Sequence, residues 1–378
     1  MAHSGGDDGG DHGGLPGYAG HFEAAPGYLD FARYGPPSRD VLAATADALG
    51  RSARADHDTV NDLMRADLRA RQAAARLAGT DAEHTVLLPN ASTGLFQAAF
   101  GIRAGIVLVP AADFPANHYP WRRAAAAGLA QPRWLPGPPT PEAVRDALTD
   151  DVVALSISAV DFRTGYRADL AALRDIIGPD RLLVTDAMQA FGVAELPWQA
   201  ADVVVTGGQK WLRASWSTGF AALSDRALER LAPTLTGWTG VDDVALFDDA
   251  EHPAAPGAAR LSITNLSPVA AAAFAAALDV VESVGVPAIE ARVSALVDAL
   301  ITAVRGCGGE ILSTTTPARR AGIVSFRLPG TPTATVAKAL HTHGVTPTVR
   351  PESVRLSPHA STPTSTVDQV TAALESLR

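Results

Sequence analysis

Five short runs of Val, Leu and Ile lie between residues 84 and 207, and Ala-rich segments with helical spacing separate several of them. The runs are HTVLLP, AGIVLVP, DDVVALSIS, RLLVTD and ADVVVTG, and the helical segments include YPWRRAAAAGLA and DLAALRDIIG. Short apolar strands that alternate with helices indicate an α/β fold with a mostly parallel sheet covered by helices on both faces. In such sheets ligands bind beyond the C-terminal ends of the strands. Polar residues at the ends of these runs are therefore candidate functional residues.

The segments on either side of these strands predict further parts of the fold. From Leu42 the chain has helical spacing that stops at Gly79, which predicts one or two helices before the first strand. After Thr264 an Ala-rich helix leads into IVSFRL, ATVAKALHTHG and TVDQVTAALESLR, which are typical of a smaller α+β domain. We predict a disordered, Gly-rich tail over residues 1–20, a large domain with an N-terminal segment over 21–275 and a small C-terminal domain over 276–378.

The composition limits the kinds of partner. The chain has 378 residues, 47% of them hydrophobic, and a net charge of -9 without a dense Lys/Arg cluster. We therefore expect a small-molecule partner and neither nucleic acid nor a membrane. The longest apolar stretch, Ser267–Val281, is too short and too rich in Ala to span a bilayer. The one cysteine, Cys307, excludes an internal disulfide and a multi-cysteine metal site, so we expect a cytoplasmic protein without a metal.

Charged and polar residues follow two of the predicted strands. RLLVTD ends on Asp186, Gln189 comes shortly after it, and Lys210 follows ADVVVTG. Burying a lone carboxylate or ammonium is costly unless a partner compensates the charge. A structural ion pair is one such partner. A third segment, LLPNASTGLFQAAF, has Ser92 and Thr93 before a helical pattern, which fits either a capped helix or an anion site at a helix N-terminus.

Together these segments match what pyridoxal 5'-phosphate (PLP) requires. A lysine amine forms a Schiff base with the cofactor aldehyde, and a carboxylate keeps the pyridine nitrogen protonated. A helix N-terminus can hold the phosphate. Bound PLP would compensate both Asp186 and Lys210, so neither would remain an isolated buried charge.

From about Tyr28 to Arg378 the chain resembles the class V aminotransferases of the fold type I PLP enzymes, which include cysteine desulfurases, kynureninases and isopenicillin-N-epimerase-like proteins. The resemblance rests on the order of YLDFARYGPPSRDVL, DFPANHYPW, TDAMQAFG, GGQKWL, RLSITNLSP and VRLSPHAST. It implies a mostly parallel seven-stranded sheet between helices, with a smaller α+β C-terminal domain. It also implies PLP as cofactor and a homodimer.

The resemblance implies a role for each matching residue. Lys210 would carry the cofactor and move protons, Asp186 would pair with the ring nitrogen, and Gln189 would bind the phenolic oxygen. Ser92, Thr93 and Gln209 would hold the phosphate, Phe114 would stack on the ring, Thr264 would reach the phosphate from the second subunit, and Arg355 would bind the substrate carboxylate through two parallel donors. Gln209 departs from the family pattern, which has His before the lysine.

Two departures narrow the reaction that the resemblance implies. Phe114 stands where desulfurases have a His, and Phe stacks but transfers no proton. Cys307 does not match a catalytic loop cysteine, which argues against desulfuration through a persulfide. We predict a PLP enzyme that acts on an amino acid through quinonoid chemistry, as a C–S or C–C lyase or an aminotransferase. The alternatives are an epimerase-like or desulfurase-like activity, or a non-catalytic binding protein with this fold.

Overall fold

A computed structural model describes residues 15, 17–23, 26–54 and 56–378. Residues 1–14 and 16 of the predicted tail lie outside the described residues. Within that predicted tail, Tyr18 begins a 3-10 helix, Tyr18–His21, and is buried. Its ring stacks on His359 with 5.7 Å between centroids. The segment around Tyr18 is thus ordered, because an aromatic residue there has a buried partner.

A seven-stranded sheet forms the centre of the large part of the described chain. Its strands are β1 (Thr85–Leu87), β2 (Ile106–Pro110), β3 (Gln131–Leu135), β4 (Val152–Ser158), β5 (Leu182–Asp186), β6 (Val203–Gly207) and β7 (Gly219–Leu223). They lie in the order β1-β7-β6-β5-β4-β2-β3, and strands β3, β2, β4, β5 and β6 pair in parallel. Strand β7 is antiparallel to both of its neighbours. The predicted, mostly parallel sheet is confirmed.

Helices cover both faces of this sheet. They are α1 (Arg39–Ser52), α2 (Thr59–Ala78), α3 (Ala91–Gly101), α4 (Tyr119–Ala126), α5 (Pro141–Ala147), α6 (Leu170–Ile177), α7 (Asp225–Arg230) and α8 (Pro268–Val284). Leu183 of β5 belongs to one hydrophobic cluster, while Leu182 and Val184 belong to another. Because neighbouring side chains in a strand point to opposite faces, both faces of β5 are buried. Helix α2 ends where the sequence predicts, at Gly79, which adopts a left-handed conformation with φ 70°.

The C-terminal part contains a second, antiparallel sheet. Its strands are β8 (Glu310–Ile311), β9 (Val324–Arg327), β10 (Thr348–Val349) and β11 (Val354–Leu356), in the order β10-β11-β9-β8. Helices α9 (Val286–Gly306), α10 (Thr333–Thr342) and α11 (Ser365–Glu375) accompany it. Short 3-10 helices span Pro115–Asn117, Trp198–Ala200, Trp238–Gly240, Gly257–Leu261 and Pro317–Arg319. This content matches the predicted α+β composition, and the boundary at 275 stays a prediction.

The N-terminal segment runs beside the second sheet. Tyr28 forms a β-bridge with Thr346, and Asp30 forms one with Ser357. The Ser357 hydroxyl also accepts a hydrogen bond from the backbone N–H of Ala32 at 3.0 Å. Residues near both ends of the chain are therefore joined at one place.

Within the described ranges, no single helix is long and apolar enough to cross a membrane. Helices α8 and α9, which meet at a bend of 80°, satisfy the length and composition criteria only as a pair.

Candidate active site

The ends of neighbouring strands bring the predicted residues together. Asp186 is the last residue of β5 and pairs in register with Ser158 of β4 and Val205 of β6. Lys210 follows the end of β6 after a short turn. Parallel strands end at the same edge of a sheet, so the Asp186 carboxyl and the Lys210 amine share that edge.

The Lys210 amine lies in a partly buried place with little to compensate its charge. No carboxylate among the described residues lies within ion-pair distance of it. Its nitrogen is 5.6 Å from the centroid of the Phe114 ring. Burial lowers the pKa of Lys210 to about 8, Asp186 opposes that shift, and Arg355 adds to it. Near neutral pH the amine is much closer to its neutral, nucleophilic form than an ordinary lysine is.

Burial also disfavours the ionised form of the Asp186 carboxyl, and for an acid this shifts the pKa upward. The residue is 4% exposed, and burial raises the pKa of Asp186 to about 6. The backbone N–H of Met188 donates to Oδ1 at 2.9 Å and opposes the shift, while the nearby carboxylate of Asp113 adds to it. A cation beside this carboxyl would favour ionisation, so the site fits the protonated ring nitrogen of PLP.

Asp113 is a buried acid that the sequence did not point out as functional. It accepts hydrogen bonds from the backbone N–H of Ser158 at 2.9 Å and from Nδ2 of Asn117 at 2.9 Å. The N–H of Phe114 donates to its other oxygen at 2.6 Å. Asp113 therefore fixes the loop that presents Phe114 to Lys210. Its position three residues after the apolar run that ends at Pro110 is the signal that could have indicated it.

Gln189 is held by hydrogen bonds on both ends of its side-chain amide. Its Nε2 donates to the backbone oxygen of Ala32 at 2.9 Å, and its Oε1 accepts from Nε1 of Trp211 at 2.9 Å. These contacts use one of the two N–H donors of the amide. The second N–H is the one that could bind an oxygen of a ligand in the cavity that Gln189 lines.

Two of the three residues predicted to hold phosphate, Ser92 and Thr93, lie in the first turn of α3. Asn90 caps this helix, and its side chain accepts a hydrogen bond from the N–H of Thr93 at 3.0 Å. A Cβ at Gly94 would lie only 2.5 Å from Val205 of β6, so glycine there permits the close approach of the helix to the strand. The helix N-terminus, with Ser92 and Thr93, is thereby brought to the strand that leads to Lys210.

Gln209 comes directly before Lys210, and its side chain folds back toward the end of β6. A Cβ at Gly207 would lie 2.6 Å from Oε1 of Gln209 and 2.8 Å from Cε of Met188. Glycine at position 207 therefore leaves space for the amide. The amide supplies neutral donors where the family pattern has an imidazole.

A cavity of about 640 Å³ opens beside Lys210. Its lining includes Phe114, Gln189 and Arg355, which the sequence predicted, and also Asp30 and Arg350. Neither of these last two residues was predicted from the sequence. Asp30 stands between the buried residues Leu29 and Phe31, and an acid in such a place was the available signal. Nothing in the sequence alone distinguished Arg350 from a solvated arginine.

Arg355 lies on β11, is 2% exposed and is held by several contacts. Its Nη1 donates to the backbone oxygen of Phe162 at 2.8 Å, and its Nη2 donates to the Thr348 hydroxyl at 2.9 Å. Nη2 also lies 3.5 Å from Oδ1 of Asp30. Burial lowers the pKa of Arg355 to about 10, and the charge of Arg350 adds to that shift.

Of the predicted site residues, Phe114, Gln189 and Arg355 line the cavity beside Lys210, whereas the lining does not include Ser92, Thr93, Asp186, Gln209 or Thr264. Thr264 lies between the 3-10 helix Gly257–Leu261 and helix α8. It is exposed and lines a different cavity, of about 260 Å³, together with Ser262 and Thr239. It does not line the Lys210 cavity of its own chain. This position leaves open the predicted contribution of Thr264 to the site of a second subunit.

Comparison with known proteins reveals related sequences. The family model for aminotransferase class-V matches residues 28–351. A kynureninase from Deinococcus radiodurans is 29% identical over 68% of this chain and 64% of its own length. A probable cysteine desulfurase from Aeropyrum pernix is 31% identical over 58% of this chain and 57% of its own length. The chain thus matches less than two thirds of the length of these two relatives.

Solved structures share the fold over almost the whole chain. An apo cysteine desulfurase from Thermococcus onnurineus NA1 has a TM-score of 0.83 at 19% identity and covers 93% of this chain and 94% of its own. The cystine C-S lyase C-DES, in complex with its product cysteine persulfide, has a TM-score of 0.84 at 18% identity and covers 93% and 97%. The predicted fold type I architecture is confirmed.

Proposed function

Since the chain belongs to the class V aminotransferase family, we propose that it is a PLP-dependent enzyme that acts on an amino acid as a C–S or C–C lyase or as an aminotransferase. The observation that carries the proposal is the Lys210 amine, with a pKa lowered to about 8, at the same sheet edge as the buried Asp186 carboxyl. When bound, PLP supplies an electron-withdrawing ring that stabilises negative charge on a substrate carbon.

Lys210 has two tasks in this proposal. Its lowered pKa leaves a useful fraction of neutral amine near neutral pH, which is needed to bond the cofactor aldehyde. The amine nitrogen of Lys210 would also accept a proton from the substrate carbon and return one to it. A pKa close to the working pH suits both directions of proton transfer.

Asp186 supplies the negative charge for the ring nitrogen, and its fixed position follows from the end of β5 and the hydrogen bond from Met188. Gln189 offers its second N–H to the phenolic oxygen. Phe114 covers the cavity beside Lys210 and packs edge-on against Phe162 at 5.1 Å, so it can stack on the cofactor ring and exclude water.

The phosphate belongs at the N-terminus of α3 in this proposal. Ser92 and Thr93 supply hydroxyls and backbone N–H groups there, and Gln209 supplies amide donors. The substrate carboxylate belongs in the Lys210 cavity, where Arg355 offers its guanidinium.

The relatives support bond cleavage in the side chain of the amino acid. One is named a kynureninase and the other a probable cysteine desulfurase. Cys307 is 4% exposed at the end of α9 and outside the lining of the Lys210 cavity, which argues against a persulfide carried by this cysteine. We favour a lyase over an aminotransferase because of these relatives. We favour it over a desulfurase because of the position of Cys307.

A homodimer is part of the proposal. Thr264 would approach the phosphate of the partner's site. Two apolar side chains close to it are exposed, Ile263 at 47% and Trp238 at 51%, and their segments are joined by a hydrogen bond between the Thr239 and Ser262 hydroxyls. Exposed apolar residues close together are typical of protein interfaces. A cytoplasmic location also remains part of the proposal.

The test uses the fact that the chain has two lysines, Lys210 and the exposed Lys338 of α10. Purified protein loaded with PLP is reduced with borohydride, which fixes the cofactor to the lysine that carries it, and the labelled peptide is identified by mass spectrometry. We expect the label on Lys210, none in Lys210→Ala and an unchanged label in Lys338→Ala. Turnover in Lys210→Ala should fall at least about a hundredfold. A label on Lys338 alone would overturn the proposal.

A further inference from the structure

Two arginines of the Lys210 cavity have hydrogen-bond donors without a partner. The Nε atoms of Arg350 and Arg355 are both buried, and neither has an acceptor among the residues that the structure describes. Both residues line the same cavity. A buried donor without an acceptor is costly, and a charged one more so. Two such donors in one cavity indicate a ligand that has two acceptor atoms.

The two guanidinium groups differ in how their charges are compensated. Arg355 has the carboxylate of Asp30 at 3.5 Å. Arg350 forms no ion pair and no side-chain hydrogen bond within the described chain. Its guanidinium carbon lies 5.0 Å from the centroid of the Phe162 ring, which is the contact that positions it. Arg33 also lines the cavity and lies 3.8 Å from Oδ2 of Asp30, but its side chain is 77% exposed, so this ion pair is solvated and weak.

Both arginines belong to the hairpin that strands β10 and β11 form. Thr348 pairs with Arg355, and Val349 pairs with Val354. The backbone N–H of Arg350 then donates to the oxygen of Ser353 at 2.9 Å, which places Arg350 at the tip of the hairpin. The charge of Arg350 contributes to the lowered pKa of both Arg355 and Lys210, so the cations repel one another across the cavity.

One substrate carboxylate would balance the charge of the two arginines and satisfy their free donors. Because the pair between Arg33 and Asp30 is solvated, Asp30 mainly compensates the buried Arg355. The partly buried Arg350 keeps an uncompensated positive charge. A single substrate carboxylate brings one negative charge and two oxygens, which matches the remaining charge and the two free Nε donors.

We propose that Arg350 and Arg355 bind the substrate α-carboxylate together, so that Arg350 is a second substrate-binding residue. The proposal rests on the proposed function, since it assigns the carboxylate of the amino acid. Because every amino acid has this group, Arg350 should contribute to the binding of all of them, whatever their side chain.

The experiment measures how tightly the PLP-loaded protein binds L-alanine, L-aspartate and L-phenylalanine, by the change in the visible spectrum of the cofactor. We expect Arg350→Gln to weaken each of them about tenfold or more, because one charge-assisted pair is lost. The binding of ethylamine, which has no carboxylate, should not change. Arg350→Lys keeps the charge but not the planar fork, so it should give an intermediate loss and serves if the glutamine variant does not fold.

Arg163→Gln is the matched control. Arg163 also lies over the Phe162 ring, at 5.2 Å, but it pairs with Asp161 and lines a different cavity. It should leave all affinities within about twofold of wild type. An equal loss in Arg163→Gln would overturn the proposal, because the effect would then come from the packing of Phe162.

The other outcomes are also decisive. A loss for L-aspartate alone would overturn the proposal and assign Arg350 to an acidic side chain. Unchanged affinities in Arg350→Gln would overturn it as well. If wild-type protein takes up no PLP, the proposed function fails instead. Calorimetry with propionate, which requires no cofactor response, still tests whether carboxylate binding depends on Arg350.

Discussion

The ammonium nitrogen of Lys210 lies over the Phe114 ring, 5.6 Å from its centroid. The contact places a flat apolar face over the residue that would carry the cofactor. Phe114 is itself 41% exposed, so this face forms one wall of the entrance rather than part of the core.

Phe114→Ala should therefore weaken PLP binding without unfolding the protein. Loss of one aromatic stacking partner costs about 0.5–1.5 kcal/mol, which is about a two- to tenfold increase in Kd. Equilibrium dialysis against PLP measures it. Phe114→His keeps an aromatic ring and should retain most of the affinity. An unchanged Kd in the alanine variant would mean that the ring does not stack on the cofactor.

Asp186→Asn should make the cofactor-free protein more stable at pH 7 than wild type. The pKa of Asp186 is about 6 in the folded protein against an ordinary 3.8, so the unfolded chain loses its proton first as the pH rises. The free energy of unfolding of wild type consequently falls between about pH 4 and pH 6, by about 2–3 kcal/mol, and stays lower above that range. The asparagine variant lacks this loss.

Urea unfolding of both cofactor-free proteins at several pH values checks the sign. The difference between them should be small near pH 4 and largest at pH 7. Asp180→Asn, at a side chain that is 88% exposed, is the control and should follow wild type. A constant difference across this pH range would show that burial does not raise the pKa of Asp186.

Arg355→Lys should weaken the binding of amino acids about tenfold despite the retained charge. An ammonium group cannot reproduce the fork of parallel donors, and the bonds to Phe162 and Thr348 would be lost. Spectral titration of the PLP-loaded protein measures the affinity. Arg327→Lys, on neighbouring strand β9 and paired with Glu310, is the matched control. Equal affinities in both variants would remove Arg355 from the carboxylate site.

Cys307→Ala should leave turnover within about twofold of wild type. The thiol is buried, its Sγ lies 3.9 Å from the backbone oxygen of Thr371, and burial raises its pKa, all of which make it a poor nucleophile. Mass spectrometry after incubation with L-cysteine should find no added sulfur on the wild-type protein. A persulfide on Cys307 together with alanine formation would instead indicate a desulfurase.

Much of the fold could be predicted because buried parallel strands are nearly continuous apolar runs. Strands β2, β4, β5 and β6 all correspond to such runs. Strand β3, Gln131–Leu135, was missed, since it lies at the sheet edge, contains Pro132 and is mostly half-buried. Strand β7, Gly219–Leu223, is not among the five predicted runs. Its antiparallel direction could not be predicted either, because an apolar run carries no information about the direction of its strand.

The candidate site was predictable where one strand end carries its own polar residue, as at Asp186 and Lys210. It was not predictable where a residue acts through a distant partner. Asp113 was missed because its partner Ser158 is 45 positions away. Arg350 was missed because only the cavity distinguishes it from a solvated arginine.

The pairing of Asp30 with Arg355 has a consequence for the newly made chain. The backbone N–H of Ala32 bonds to Ser357, 325 positions later, so the N-terminal wall of the cavity has no partner until Ser357 has been made. At about 5–20 residues per second, a ribosome needs about 16 to 65 s to make the intervening chain. During that time Asp30 is in water, without its arginine. The cavity beside Lys210 is therefore incomplete until Arg350 and Arg355 have been made, even if the central β-sheet, which is made earlier, has already formed.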